Sequence, residues 1–356
     1  MQAESSVKNI KAMVVDDAAF MRKALVEILS GSGDIEVVGV ARHGREALDA
    51  IRTLKPDVIT LDVDMPVMDG LTTIKHIMVR DPLPVVMVSG LADQGRITFE
   101  ALSLGAVDFF PKPSGTISDD IHESGAELVR TLRVAAGINP KAIKRAVKRQ
   151  DRPIHLNYKD RQVPGGLLVV VALQGAVSSF IRLASALFPI RGTACLCIQD
   201  MSTSVLNAYT QELDGITGCA RAFEPGQALY AGCCSMLQKQ NLPEMKGDSL
   251  HGITLVTPDE PLDINRFFLK ASDSFGTDLH VCILGGPAEE DLKGLEMVKE
   301  KGGTVTALMP EKCASEEFAR LAIDRELARP FSSEQSLWGS IKAFSRQMIL
   351  RDGGRA

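Results

Sequence analysis

Four short apolar runs in the first 112 residues each lead into a residue suited to binding a metal ion or a phosphoryl group. Ala-Met-Val-Val precedes Asp16-Asp17, Val-Ile-Thr-Leu precedes Asp62, Val-Val-Met-Val precedes Ser89, and Val-Asp-Phe-Phe-Pro precedes Lys112. The segments between the runs have helical length and period, so the pattern is a βα repeat. Parallel strands deliver their C-terminal ends to one edge of a sheet, where ligands bind near the topological switch point. Asp16, Asp17, Asp62, Ser89 and Lys112 are therefore expected at one site although almost a hundred residues separate the first from the last.

Three carboxylates brought together repel one another unless a cation lies among them. An oxygen-only donor set without nearby His or Cys suits a hard ion such as Mg²⁺. Asp62 heads the tight segment Asp62-Val-Asp-Met-Pro-Val-Met-Asp-Gly70, which exposes its carboxylate at a strand end. A carboxylate beside a metal can attack a phosphoryl group and form an aspartyl-phosphate. In such transfer the protein supplies positioning and charge neutralisation, here from Lys112 and the Ser89 hydroxyl. The alternative, that strand-end Asp and Ser residues only cap the following helices, suits any one of them better than all five together.

These residues resemble the receiver domain of two-component response regulators, over roughly residues 8–135. The resemblance implies Asp62 as the phosphorylated residue, Asp16, Asp17 and Asp62 as Mg²⁺ ligands with the Asp64 backbone carbonyl, and a histidine kinase as phosphodonor. It further implies Ser89 as switch hydroxyl, Gly90 as the small residue beside it, Phe109 as the switch aromatic, and Lys112-Pro113 as the family's Lys-Pro pair, whose peptide bond is usually cis. On phosphorylation Ser89 is expected to move toward the phosphoryl group and Phe109 to repack inward.

At 356 residues the chain is too long for one ordinary core. No apolar run approaches the roughly 18 residues of a membrane span, and the N-terminus Met-Gln-Ala-Glu-Ser-Ser does not resemble a signal peptide. The seven cysteines fall between Cys195 and Cys313, several in apolar runs and none at zinc spacing, which reads as reduced core residues of a cytoplasmic protein. Charge divides the chain: residues 1–135 carry net −6, 136–165 net +6, and 166–356 net −5. The domains expected are 1–135, a basic linker at 136–165, and a second domain at 166–350. A solvated linker between two acidic domains is favoured over a nucleic-acid or membrane patch.

From Gly166 strand and helix patterns alternate again. Strands are expected at 167–173, 194–199, 227–230, 252–256, 279–284 and 304–308, and helices at 178–188 and 204–213, giving a second doubly wound parallel α/β domain. No basic helix-turn-helix suggests DNA binding.

This order, with Val107-Asp-Phe-Phe-Pro-Lys-Pro-Ser-Gly115 and Val15-Asp-Asp-Ala-Ala-Phe-Met-Arg22, resembles the chemotaxis protein-glutamate methylesterases. In the second domain the carrying segments are Leu168-Val-Val-Val-Ala-Leu-Gln-Gly-Ala-Val177, Ile198-Gln-Asp-Met201, Ile283-Leu-Gly-Gly-Pro-Ala-Glu-Glu-Asp-Leu-Lys-Gly-Leu295 and Gly302-Gly-Thr-Val305. The family has a Ser-His-Asp triad at these landmarks. Here the three positions hold Gln174, Asp200 and Glu290, and Ala176 and Val177 stand where the family's glycines would let backbone approach an oxyanion.

Gln is no nucleophile and Asp cannot serve as a neutral base near pH 7. Residues 167–177 contain no Ser, Thr or Cys in any register. Ser178 and Ser179 are expected on the following helix, pointing away from the strand end, and His251 and His280 in the core or at an edge. Loss of one triad member costs on the order of 10⁴- to 10⁶-fold. The expected function is a response regulator whose second domain binds chemoreceptor cytoplasmic domains or another chemotaxis protein without catalysis. The alternatives are an active methylesterase/glutaminase and a phosphate sink for a kinase.

Overall fold

A computed structural model describes residues 9–90, 94–112, 119–143, 162–248, 252–287 and 291–352. The chain divides into two compact units, Met1–Arg145 and Ala146–Ala356. Pro113, His251, Glu290 and most of the basic run at 141–149 lie outside the described residues.

The first unit alternates strand and helix as the repeat requires. Its elements are β1 (Ile10–Val15), α1 (Ala19–Gly31), β2 (Ile35–Ala41), α2 (Gly44–Leu54), β3 (Val58–Asp62), α3 (Gly70–Arg80), β4 (Val85–Ser89), α4 (Gln94–Leu104), β5 (Asp108–Pro111) and α5 (Asp119–Ala136). The strands pair in parallel in the order β2-β1-β3-β4-β5. This is the flavodoxin-like winding, with its switch point between β1 and β3. Every residue of β3 and β4 is buried, as expected for central parallel strands covered on both faces.

Local chemistry fixes the helix ends. Asp69 caps α3 by accepting a 2.6 Å hydrogen bond from the Thr72 N–H, and His43 caps α2 through Nδ1 and the Glu46 N–H. Beyond α5 the chain keeps packing on this unit, because Ile138 and Ala142 are buried. The stretch expected as linker from 136 thus begins with residues of the first core.

The second unit is built on β6 (Gly166–Ala172), α6 (Val177–Leu187), β7 (Thr193–Gln199), α7 (Thr203–Thr217), β8 (Ala220–Ala222), β9 (Gln227–Ala228), β10 (Cys234–Gln238), β11 (Glu244–Asp248), β12 (Gly252–Val256), α8 (Ile264–Phe275), β13 (Leu279–Gly285), α9 (Lys293–Glu300), β14 (Thr304–Leu308), α10 (Glu317–Asp324), β15 (Arg329–Phe331) and α11 (Glu334–Asp352). A seven-stranded sheet runs β15-β14-β13-β6-β7-β10-β8, every pair parallel. The winding reverses between β6 and β13.

Two expected strands belong elsewhere. The runs at 227–230 and 252–256 form β9 and β12 of a separate three-stranded antiparallel sheet with β11. Their place in the main sheet is taken by β10 and β8. In β12 the burial alternates residue by residue, the mark of a strand covered on one face, whereas β6, β7 and β13 are buried throughout.

Candidate functional site

In the first unit the five expected residues converge. β1 and β3 are neighbours, with Val15 opposite Leu61, so Asp16 and Asp17 leave the sheet beside Asp62. One carboxylate oxygen from each of the three lies within 4.8 Å of the others. Asp16 and Asp62 are buried and Asp17 is exposed. β4 ends at Ser89 opposite Pro111 of β5, and the Lys112 N–H donates to the Ser89 carbonyl at 2.7 Å. Lys112 therefore enters from the far side of the site, where its Nζ stands 2.8 Å from Asp16 Oδ2 and 2.8 Å from Asp62 Oδ2.

The electrostatics follow from this crowding. Burial raises the Asp62 pKa, helped by the Asp16 charge and opposed by Lys112. Burial works against the Lys112 cation, but its hydrogen bonds to Asp16 and Asp62 prevail and its pKa is raised. The other Asp62 oxygen accepts from the Val63 N–H at 2.8 Å. The three-carboxylate oxygen set fits a hard divalent cation such as Mg²⁺. Asp16, Asp17 and Asp62 would hold it, and its charge would neutralise a phosphoryl group approaching Asp62.

The loop after Asp62 is built for close approach. Gly70 opens α3 and donates to the Val63 carbonyl at 2.8 Å, and a Cβ on it would stand 2.1 Å from the Asp62 carbonyl oxygen. Val67 takes φ +67°, a left-handed conformation costly for a β-branched residue, at an exposed turn. Asp64, two residues after Asp62, is exposed. Ser89 is buried and Gly90 exposed at the end of β4. Phe109 is buried in β5.

In the second unit Gln174 and Asp200 follow the C-terminal ends of the adjacent strands β6 and β7, and Gly285-Gly286 end β13 on the other side of β6. Both glycines have strongly positive φ, +145° and +151°. A Cβ on Gly286 would meet Leu173 Cβ at 2.8 Å, so the two strand ends can meet only with glycine there. Gln174 is buried. Asp200 Oδ1 faces Gln240 Nε2 at 3.4 Å, and Gln240 belongs to an amide network. In it Gln238 Nε2 donates to Gln240 Oε1 and to the Met201 carbonyl, and Thr203 and Asn241 donate to Gln238 Oε1.

Among the described residues of the second unit no histidine lies at the C-terminal ends of β6, β7 and β13. His280 lies at the start of β13, the opposite end from the strand-end residues, where it is buried against Thr306 Oγ1 at 2.8 Å and the Phe344 ring. Burial lowers its pKa to about 4. Ser178 and Ser179 are buried in the first turn of α6, and Ser179 Oγ accepts from Arg182 Nη2 at 2.9 Å. All seven cysteines are free, and six are buried. Burial pushes Cys282 and Cys313 up to about 12, which makes them poor nucleophiles.

Sequence reasoning missed Arg22, whose Nη1 donates to the carbonyls of Asp16 and Asp17 at 2.8 Å each. It also missed the buried Arg182–Glu334 pair, with Nη2 to Oε1 at 2.5 Å. A basic residue four positions after Asp-Ala was the one available signal for the first; the second joins residues 152 apart.

A parallel βα receiver with an acidic strand-end site, followed by a second parallel α/β unit, defines a two-domain response regulator. The model of the response regulator receiver domain matches residues 12–123, and that of CheB methylesterase matches residues 168–337. A protein-glutamate methylesterase/protein-glutamine glutaminase of Caldanaerobacter subterraneus subsp. tengcongensis is 33% identical over 340 residues, covering 89% of this chain and 92% of that protein. One from Oleidesulfovibrio alaskensis is 32% identical over 354 residues, covering 90% and 95%. The chain belongs to the protein-glutamate methylesterase/protein-glutamine glutaminase family.

Among solved structures, the response regulator domain of Thermotoga maritima CheB is similar at 45% identity and TM-score 0.35, covering 37% of this chain and all of that one. The methylesterase catalytic domain of the same protein is similar at 19% identity and TM-score 0.44, covering 50% and 99%. No helix among the described residues is long and apolar enough to cross a membrane.

Proposed function

We propose that the chain is a phosphorylation-controlled regulator in which Asp62 takes a phosphoryl group from a histidine kinase and the methylesterase-type unit binds its target without cleaving it. The observation that carries this reading is the pairing of a complete acidic site with strand ends that hold Gln174 and Asp200. An Asp62 oxygen forms the bond to phosphorus as the N–P bond of the kinase's phosphohistidine breaks and the imidazole leaves. Asp16, Asp17 and Asp62 would hold a cation that supplies charge neutralisation, and Lys112 meets the charge of about −1.5 to −2 that stays behind. The target class is the cytoplasmic region of a chemoreceptor, on which the family's activity is exercised, or another chemotaxis protein.

The test is hydrolysis of methyl-glutamate in receptor fragments by the full chain phosphorylated at Asp62, beside a co-sedimentation assay with the same fragments. Binding with no release of methanol is the expected result. Turnover like that of an active family member sinks the binding reading.

One observation favours the second reading, an active methylesterase: relatives carrying that enzyme's name match this chain over about nine-tenths of its length. It requires a nucleophile that neither Gln174 nor Asp200 provides. In both readings the receiver is the regulatory input.

A further inference from the structure

Arg22 stands in an electrostatically awkward place. It is the fourth residue of α1, in the first turn, where the helix macrodipole is positive and a cation is disfavoured. Its backbone N–H continues the helix by donating to the Ala18 carbonyl at 3.0 Å. Its side chain turns back, and the two hydrogens of Nη1 reach the carbonyls of Asp16 and Asp17, 2.8 Å each. These carbonyls precede the helix cap, so the helical ladder leaves both without a donor. On the other side of the turn the Ala18 N–H donates to Asp16 Oδ1 at 2.9 Å.

We infer that Arg22 is a positioning residue for the cation site, clamping the peptide planes of Asp16 and Asp17 so that their carboxylates face Asp62. The inference rests on the metal-site reading of the acidic cluster. Two carbonyls tied to one nitrogen fix the rotation of the Asp16–Asp17 and Asp17–Ala18 peptides, and with them the direction of the Asp17 Cα–Cβ bond. Asp16 is held from both sides, since its own N–H donates to the Ala41 carbonyl at 3.1 Å. The guanidinium touches no carboxylate of the cluster in this arrangement, so a cation can enter without displacing it. Lys112 differs in that respect, since its ammonium sits on Asp16 Oδ2 and Asp62 Oδ2 themselves.

Positioning and bare charge predict opposite signs. As a positive charge near a dication site, Arg22 weakens Mg²⁺ binding, and its removal would strengthen it. As a clamp it strengthens binding, and its removal costs on the order of tenfold in affinity, the lower end of the usual effect of groups that orient metal ligands.

The experiment is calorimetric titration of MgCl₂ into the full chain, its Arg22→Gln variant and its Arg22→Lys variant, with circular dichroism to establish that each is folded. We expect about tenfold weaker binding for Arg22→Gln and an intermediate value for Arg22→Lys, whose ammonium keeps the charge and donors on a different stem. Faster amide exchange at Asp17 and Ala18 in Arg22→Gln should accompany the loss. Unchanged or tighter binding in Arg22→Gln overturns the inference and leaves the metal site standing. Should Arg22→Gln not fold, Arg22→Lys decides alone: weaker binding than the parent supports the clamp, equal or tighter binding overturns it. Absence of Mg²⁺ binding by the parent chain overturns both the clamp and the metal reading.

Discussion

Lys112 Nζ lies 2.8 Å from Asp62 Oδ2 inside a site whose acceptor carboxylate is buried. The lysine is a positive charge in direct contact with the Asp62 carboxylate, and it comes from the strand next but one to that of Asp62. Its reach depends on the parallel register that ends β5 one strand beyond β4.

Replacing Lys112 by methionine keeps the aliphatic stem and removes the charge. Asp62 and Asp16 are then left facing each other without the ammonium between them. Transfer from phosphoramidate in Mg²⁺ should fall on the order of 10²-fold, the usual effect of removing one preorganised stabilising group. Radiolabel or mobility-shift quantitation of the phosphorylated chain measures it, with Asp62→Asn as the zero. A rate within threefold of the parent would remove Lys112 from the transfer step.

Gly70→Ala tests the loop that presents Asp62. The added Cβ would fall 2.1 Å from the Asp62 carbonyl oxygen and 2.9 Å from Val63 Cα, backbone atoms that cannot rotate away. The cost should be about 1–3 kcal/mol, as for other overpacked sites, seen as a lower urea midpoint for the first unit together with slower phosphorylation. Gly339→Ala in α11 is the control, since nothing lies within 4 Å of its added Cβ; a helix-interior alanine there should stabilise by about 0.5–1 kcal/mol.

How much of this was legible in the sequence depended on what each residue needs from its surroundings. Asp16, Asp62, Ser89 and Lys112 each follow a buried apolar run, and parallel strands alone bring such positions together, so local pattern sufficed. The strands β9 and β12 also look like strands locally, but which sheet they join depends on partners far along the chain, β11 among them. β8 and β15 have three residues each and β10 reads Cys-Ser-Met-Leu-Gln, lengths and compositions too slight for periodicity to find. The Arg22 clamp escaped notice because its acceptors are backbone carbonyls, which leave no mark on residue identity.

The Arg182–Glu334 pair ties α6 to the first turn of α11, with both side chains about nine-tenths buried. Removing one partner leaves an uncompensated charge in the interior. Arg182→Met or Glu334→Leu should therefore cost about 3–5 kcal/mol, while the double replacement Arg182→Met/Glu334→Leu should cost clearly less than the two singles summed. Urea denaturation of the four chains closes the cycle, and simple additivity would contradict the assignment.

His280 makes the second unit sensitive to acid. Its ring is buried between Thr306 and Phe344, and its pKa is depressed from 6.5 to about 4. Between those values the unfolded chain takes up a proton that the folded chain refuses, so stability should fall as pH drops from about 6.5 to about 4 and level off below. The full loss is at most about 3 kcal/mol from this group. His280→Gln, which can keep a hydrogen bond to Thr306, should lower stability near pH 8 and flatten this slope. Thermal midpoints at several pH values provide the comparison, and a parental slope retained by the variant would assign the acid sensitivity elsewhere.

The altered esterase edge makes the sharpest functional prediction. β13, β6 and β7 are adjacent and parallel, the Leu173 N–H donates to the Gly285 carbonyl at 3.3 Å, and Gly286 keeps the close approach to the Leu173 side chain. On the proposed reading these strand ends, which hold Gln174 and Asp200, lack a nucleophile and its base. In a triad that acts as a unit, one member without the others contributes almost nothing. Gln174→Ser and Asp200→His singly should therefore hydrolyse methylated receptor fragments no faster than the parent chain, at the uncatalysed background. The Gln174→Ser/Asp200→His double variant should rise measurably above all three, and stay well below an active family member, because the resemblance puts glycines where this chain has Ala176 and Val177. Methanol release is the readout. A parent chain already turning over like its enzymatic relatives would show that this unit has a nucleophile other than the residue at position 174, and the proposal of a binding unit would be withdrawn.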